Sequence, residues 1–158
     1  MSSRPDPTAL EIDHAVRELT ARYCDAVARF DLDQFAELWT DDADWVVPGV
    51  ATTTGRDRIA RLFGKLRGSY LLCTQEPMSG WVVPGAGPDE ARARWQIREL
   101  QWKAEQPVNC VMGVYSDRLV RVDGAWRFAT RQFDVFYRGP VDLSGTVHPV
   151  APLPPLGA

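Results

Sequence analysis

Apolar residues recur every three or four positions along the first part of the chain. Ile12, Val16, Leu19, Tyr23, Val27 and Phe30 keep this spacing between Leu10 and Phe30, with Glu11, Asp13, Arg17, Glu18 and Arg22 between them, and the pattern predicts an amphipathic helix. Asp31-Leu32-Asp33-Gln34 then reads as a capping box, with Asp31 as the cap and Gln34 reaching back. A second, short helix with Phe35, Leu38 and Trp39 on its apolar face is predicted to end near Thr40. Asp44-Trp45-Val46-Val47 is a β-prone run stopped by Pro48-Gly49. After a polar loop at Thr52-Thr53-Thr54, Ile59, Leu62, Phe63 and Leu66 return to helical spacing, in a third helix that closes at Gly68.

From Tyr70 onward the chain reads as strand. Tyr70 to Met78 and Gly80 to Val83 are β segments interrupted at Pro77 and Pro84, and the stretch from Pro84 to Asp89 is a turn. Ala91, Ala93, Trp95 and Ile97 alternate with Arg92, Arg94, Gln96 and Arg98, giving a strand with one buried and one wet face that runs to Lys103. Asn109 to Val122 and Ala125 to Arg138 are two long strands joined by Asp123-Gly124, a dipeptide that favours a tight hairpin, so they are expected to be antiparallel neighbours. Helices followed by a long meander predict an α+β fold, its antiparallel sheet covered on one face by helices. The predicted organisation is a flexible N-terminus over residues 1–9, one domain over 10–138, and an extended tail over 139–158. That tail carries Pro140, Pro149, Pro152, Pro154 and Pro155, and is read either as loose or as laid along a partner subunit.

Composition narrows the function classes. The 158 residues, 45% apolar and 25% charged, fit one globular domain. No apolar run approaches a membrane span and the first residues hold no apolar signal region, so a cytoplasmic protein with no membrane partner is expected. A net charge of −3 with scattered basic residues offers no footprint for nucleic acid. Cys24, Cys73 and Cys110 are odd in number and lack C-x-x-C spacing, and only His14 and His148 are present; no disulfide framework, metal site or organic cofactor is expected. Six tryptophans admit two readings, a bulky core or the wall of an apolar ligand cavity. Trp39, Trp45, Trp95 and Phe128 are the candidate wall residues.

Polar residues on apolar faces are the candidates for chemistry. Tyr23 lies on the stripe of the first helix, so its hydroxyl is either a donor to substrate or a core group bonded to a carboxylate or carbonyl. Glu99 falls in register with Ala93, Trp95 and Ile97; desolvated there, its pKa would rise into the range of a general base or acid, whereas a bulge after Ile97 would turn it outward. Asp117 shares a face with Val111, Tyr115 and Leu119, and Asp134 shares one with Trp126, Phe128 and Phe136; either is placed to reach a pocket. By the same alternation Asn109, Thr130 and Gln132 are pocket-lining candidates. Arg127 and Arg131 point outward if Trp126 and Phe128 point inward. Asp25 lies about 200° from Tyr23 around the helix and reads as a surface carboxylate.

Arg22-Tyr23, Asp31-Leu32-Asp33, Phe35, Leu38-Trp39, Asp41-Asp42-Ala43, Gly55-Arg56 before a helix, and Asp123-Gly124-Ala125-Trp126-Arg127-Phe128 resemble, in order and spacing, the SnoaL-like branch of the nuclear transport factor 2-like superfamily. The resemblance covers about residues 10 to 138. It implies a cone-shaped curved sheet enclosing one apolar pocket, and a homodimer or homotrimer. Relatives include ketosteroid isomerase, in which a tyrosine in the position resembling Tyr23 stabilises an enolate oxygen. Glu99 resembles in position a carboxylate of the bile-acid dehydratases. The positions resembling the isomerase base, the dehydratase histidine and the dehydratase helix aspartate hold Val47, Gln75 and Ala28. Gln75 is therefore a candidate to orient a substrate carbonyl without moving a proton.

These readings lead to cofactor-independent lyase or isomerase chemistry (dehydratase, ketosteroid-isomerase-like or polyketide-cyclase-like) on a hydrophobic small molecule. Tyr23 and Gln75 would hold the substrate, and Glu99, Asp117 or Asp134 would move the proton. The alternative is a noncatalytic binding or dimerisation domain. Epoxide hydrolysis is a minor third reading, weakened because Arg94 and Arg98 alternate to the face opposite Glu99.

Overall fold

The computed structural model describes residues 8–148. Thr8 opens helix α1 (Ala9–Arg29): its hydroxyl accepts from the Glu11 N–H, and the Glu11 carboxylate accepts from the Thr8 N–H at 2.6 Å, so two otherwise orphaned donors are satisfied. Ile12, Val16, Leu19, Tyr23 and Val27 are buried on one face as their spacing predicts, and the helix ends where Phe30 turns left-handed at φ 58°. Asp31 caps α2 (Leu32–Glu37), but Gln34 does not complete the box; its amide donates to the Arg22 carbonyl at 2.8 Å and ties α2 to α1. The helix stops before the predicted end near Thr40, because Trp39 is already paired in a sheet.

Strand β1 (Trp39–Val47) turns at Gly49 into β2 (Ala51–Thr54), a short antiparallel partner where a loop was predicted. Helix α3 (Arg56–Arg67) follows and ends at Gly68. The meander is β3 (Leu72–Pro84), β4 (Glu90–Trp102), β5 (Asn109–Val122) and β6 (Ala125–Pro140). The sheet order is β2-β1-β6-β5-β4-β3, with β1 parallel to β6 and the meander antiparallel, and the helices pack on this curved, unclosed sheet. Asp123 (φ 51°) and Gly124 (φ 82°) supply the two left-handed residues that a tight hairpin between long strands requires. Pro77 does not split β3: a register shift between Pro77 and Ser79 leaves Met78 as an extra residue, and a bulge relieves proline of donating to the ladder.

The chain beyond Arg138 begins as sheet. β6 continues to Pro140, and β7 (Thr146–Val147) returns to pair with Tyr137 and Arg138. The predicted N-terminal segment up to residue 7 and the prolines from Pro149 onward lie outside the described residues. No described helix is long and apolar enough to cross a membrane.

Two bulges on β6 decide which side chains face the helices. Leu119 pairs with Phe128 but Arg118 pairs with Thr130, so Ala129 is an extra residue; a second shift, between Gly113–Val135 and Met112–Tyr137, makes Phe136 another. Each inserted residue reverses the alternation that follows it. Arg131, expected to point outward, is therefore on the same face as Phe128 and fully buried. It forms a bidentate pair with Asp117, both contacts 2.9 Å, and its guanidinium sits 4.0–4.2 Å from the ring centres of Tyr115, Phe128 and Tyr23. Asp134, a predicted pocket carboxylate, is carried to the opposite face, where it accepts from the Gln132 amide at 2.9 Å. Arg127, by contrast, lies near the surface and donates to the Glu37 carbonyl.

A second buried cation locks the helices to the sheet. Arg67, at the end of α3, donates to the carbonyls of Val27 (2.7 Å), Ala28 (3.0 Å) and Tyr70 (3.1 Å). The first two belong to the last turn of α1, whose unpaired carbonyls and dipole favour a positive charge.

Removing one member of the Arg131–Asp117 pair leaves a buried charge without its partner. Arg131→Met is expected to cost about 3–5 kcal/mol in urea unfolding, and the double variant Arg131→Met/Asp117→Leu to recover most of that loss. A double variant no more stable than the single one would contradict this account.

Candidate functional site

The inner face of the sheet is organised in cross-strand rows. One row runs Ala93, Asp117, Arg131 and Trp45 across β4, β5, β6 and β1; another holds Trp95, Tyr115 and Phe133. Towards the open end lies a third, Gln75, Glu99, Val111 and Arg138 across β3 to β6, and beyond it Cys73, Gln101 and Asn109. A cavity of about 260 Å³ sits over these rows, with Val27 of α1 and Phe63 and Leu66 of α3 on its other side.

Its polar groups form one connected line. Asn109 Nδ2 donates to Gln101 Oε1 at 2.9 Å, and Gln101 Nε2 donates to Glu99 Oε1. Gln75 Nε2 donates both to Glu99 Oε2 at 2.5 Å and to the Tyr115 hydroxyl at 3.1 Å. The Tyr115 hydroxyl in turn lies 3.4 Å from that of Tyr23. A single amide nitrogen thus separates the Glu99 carboxyl from a pair of phenols. The other end of that amide, Gln75 Oε1, is buried with no hydrogen-bond partner among the described residues, although it lines the cavity. An unpartnered acceptor of this kind is costly in a closed core and is explained by a ligand or water donor.

Burial sets the protonation of these groups. Desolvation pushes the Glu99 carboxyl above its ordinary value, and the two amide donors and the charge of Arg138 pull against it without cancelling it. Tyr23 and Tyr115 are both pushed up, mainly by burial, with Arg131 pulling down, so each phenol is a neutral donor near pH 7. Cys24 is pushed up to about 11 by burial, which leaves it a thiol rather than a nucleophilic thiolate. At Arg131 burial disfavours the charge, but the adjoining Asp117 carboxylate outweighs it and raises the guanidinium further.

The structure brings together Tyr23, Glu99, Gln75 and Trp45 on the cavity wall. Asn109 touches the network through Gln101 rather than the cavity itself. Asp117 is as buried as predicted but lies behind Tyr23 and Tyr115, engaged by Arg131, and does not line the cavity. Trp39, Trp95 and Phe128 are core residues, not wall: Trp39 and Phe128 pack edgewise on the Tyr23 ring from below, and the edge of Gly80 lies against Trp95. The bulge that would have turned Glu99 outward does not occur in β4, whose pairing with β5 is unbroken from Glu90 to Gln101. Asp25 is an exposed partner of Arg29. Sequence reasoning missed Tyr115, Gln101, Arg67, Tyr70 and Arg138 on the wall. Tyr115 and Gln101 were within reach, since they share alternation with Asp117 and Glu99, and so was Arg138, since the two bulges between it and Phe128 cancel and leave it in step with Trp126 and Phe128.

Solved structures share this architecture. One from Novosphingobium aromaticivorans, provisionally named a scytalone dehydratase, superposes with a TM-score of 0.78 at 18% identity, covering 89% of this chain and 94% of its own. The LinA-type3 hexachlorocyclohexane dehydrochlorinase of Novosphingobium barchaimii gives 0.73 at 20% identity, covering 86% and 94%. A protein of unknown function from Mycobacterium tuberculosis gives 0.69 at 23% identity, covering 80% and 72%. At these identities the likeness is one of fold. No curated protein sequence matches the chain. The model of the SnoaL-like domain matches residues 8–132, the helices and most of the sheet that build the cavity, and the chain belongs to that family.

Proposed function

We propose that the protein is a cofactor-independent lyase or isomerase for an apolar small molecule bearing a carbonyl, with Glu99 as the proton-transfer group. The observation that carries this reading is the placement of a desolvated carboxyl one amide away from two neutral phenols in an apolar cavity. Base and oxyanion donors in a dry site are what abstraction of a proton next to a carbonyl requires. Fold neighbours that carry the names of a dehydratase and a dehydrochlorinase lend support, since both names describe eliminations.

The geometry is suited to the following steps. Glu99 takes a proton from the carbon next to the carbonyl, and the electron pair of that C–H bond moves onto the carbonyl oxygen. Tyr115 and Tyr23 donate to that oxygen. Arg131, 4.0 and 4.2 Å from the two ring centres, lowers the cost of negative charge on the phenol side. The enolate then collapses in one of two ways. Either Glu99 returns its proton to a more distant carbon, which is isomerisation, or it gives the proton to a β-hydroxyl that leaves as water. Gln75 Oε1, unpartnered otherwise, is suited to accept from such a hydroxyl.

Exchange of solvent deuterium into a panel of β,γ-unsaturated and β-hydroxy cyclic ketones, read by mass spectrometry, tests the assignment. Glu99→Gln is expected to slow exchange by about 100-fold or more while the thermal unfolding transition is kept. Tyr115→Phe is expected to slow it roughly 100-fold, as loss of one oxyanion donor does. Since a base must be ionised to act, kcat/KM should rise with pH along a limb whose midpoint lies above the ordinary 4.5, the direction in which burial moves Glu99. Exchange unaffected by Glu99→Gln would remove Glu99 from the mechanism; tight retention of the ketones with no exchange in the unaltered protein would leave a binding domain.

A further inference from the structure

The cavity opens into a second recess of about 450 Å³, with which it shares Tyr70, Gln101 and Arg138. The recess is polar where the cavity is apolar. Its remaining wall holds Lys103, Gln106, Pro107 and Asn109, so it presents two cations and three amides and no carboxylate, in a chain whose net charge is −3. Neither Lys103 nor Arg138 belongs to any ion pair among the described residues. Lys103 instead rests 4.9 Å from the centre of the Tyr70 ring, which holds its ammonium at the rim. Arg138 is exposed, and occupies the same cross-strand row as Glu99 with Val111 between them. At about 4.8 Å per strand, two strand spacings put roughly 10 Å between their backbones.

We infer that this recess is the subsite for an anionic group on the ligand, a carboxylate or a phosphate, whose apolar body occupies the cavity beside Glu99. The charges dictate the orientation. An anion driven inward would meet the carboxyl of Glu99 in a low-dielectric space, where repulsion is strong, whereas at the rim it meets Lys103 and Arg138. The subsite would thereby select amphiphilic acids over neutral molecules of the same shape and present the distal, apolar end to Glu99. This assignment rests on the cavity being a ligand site, as proposed above, but not on the reaction that occurs there.

Displacement of the neutral fluorophore N-phenyl-1-naphthylamine tests it, with decanoate, decyl phosphate and decanol as competitors. The unaltered protein is expected to bind one or both anionic chains at least tenfold more tightly than decanol, and the tighter of the two identifies the head group. Arg138→Gln/Lys103→Gln should abolish that preference, so that within the variant the anionic chains bind no more tightly than decanol. Both side chains lie at the rim, and in the unaltered protein the preference should also shrink as salt is raised, a readout independent of any substitution. Equal competition by all three chains, insensitive to salt and to the double variant, would overturn the subsite while leaving Glu99 chemistry intact. Failure of the fluorophore and of every chain to bind would overturn both the subsite and the cavity as a ligand site.

Discussion

A carboxyl group taken out of water must be held by its neighbours or surrender its charge, and the interior of this protein is arranged around one that sits between those limits. Glu99 lies on an unbroken strand facing an apolar cavity, with two amides as its direct hydrogen-bond donors and the cation that pulls on its charge, Arg138, two strands away. Amide donors steady a carboxylate less than a cation does, so desolvation dominates and the group keeps an affinity for protons that a surface glutamate lacks. A salt bridge at this position would have given a firmer fold and a chemically inert carboxylate.

That contrast is present within the same sheet. Asp117 is more deeply buried than Glu99, yet it has a bidentate arginine partner, and the pair is sealed behind Tyr23, Tyr115 and Phe128. Its work is structural and electrostatic: it holds a positive charge under the two phenols without exposing that charge to the cavity. Arg67, the second buried cation, is held by carbonyls of the α1 terminus and so keeps the helices fixed over the sheet. Arg131, Arg67 and Glu99 thus have different classes of partner, carboxylate, carbonyl and amide in turn, and the class of partner decides whether the group stabilises or reacts.

The elements of the fold were legible because each carries its own local signal. Helical spacing from Ile12 to Phe30, the Asp31 cap, the alternation from Ala91 to Ile97 and the Asp123-Gly124 turn all agree with the elements that form. The candidate site was legible only where alternation is unbroken. Glu99 is counted from residues on a regular stretch of β4, Gln75 is picked out by the family resemblance, and both face the cavity. On β6 the count fails twice, at Ala129 and Phe136, because a bulge is set by the fit between strands and leaves no mark in the composition of either one. The Ala129 bulge alone inverts the expectations for Arg131 and Asp134 together, trading an imagined carboxylate for a real cation behind the phenols. Trp39 and Phe128 fail for another reason: burial is readable from hydrophobicity, but whether a buried ring touches a void or another ring depends on the helix packed above it.

The most direct measurement is the titration of Glu99 itself, followed through its carboxyl carbon by nuclear magnetic resonance and assigned by comparison with Glu99→Gln. A midpoint clearly above that of a solvated glutamate, in the unaltered protein without ligand, is what a desolvated proton-transfer group must give. A midpoint at or below the ordinary 4.5 would mean that the cavity stabilises the anion as well as water does, and the central claim would fail.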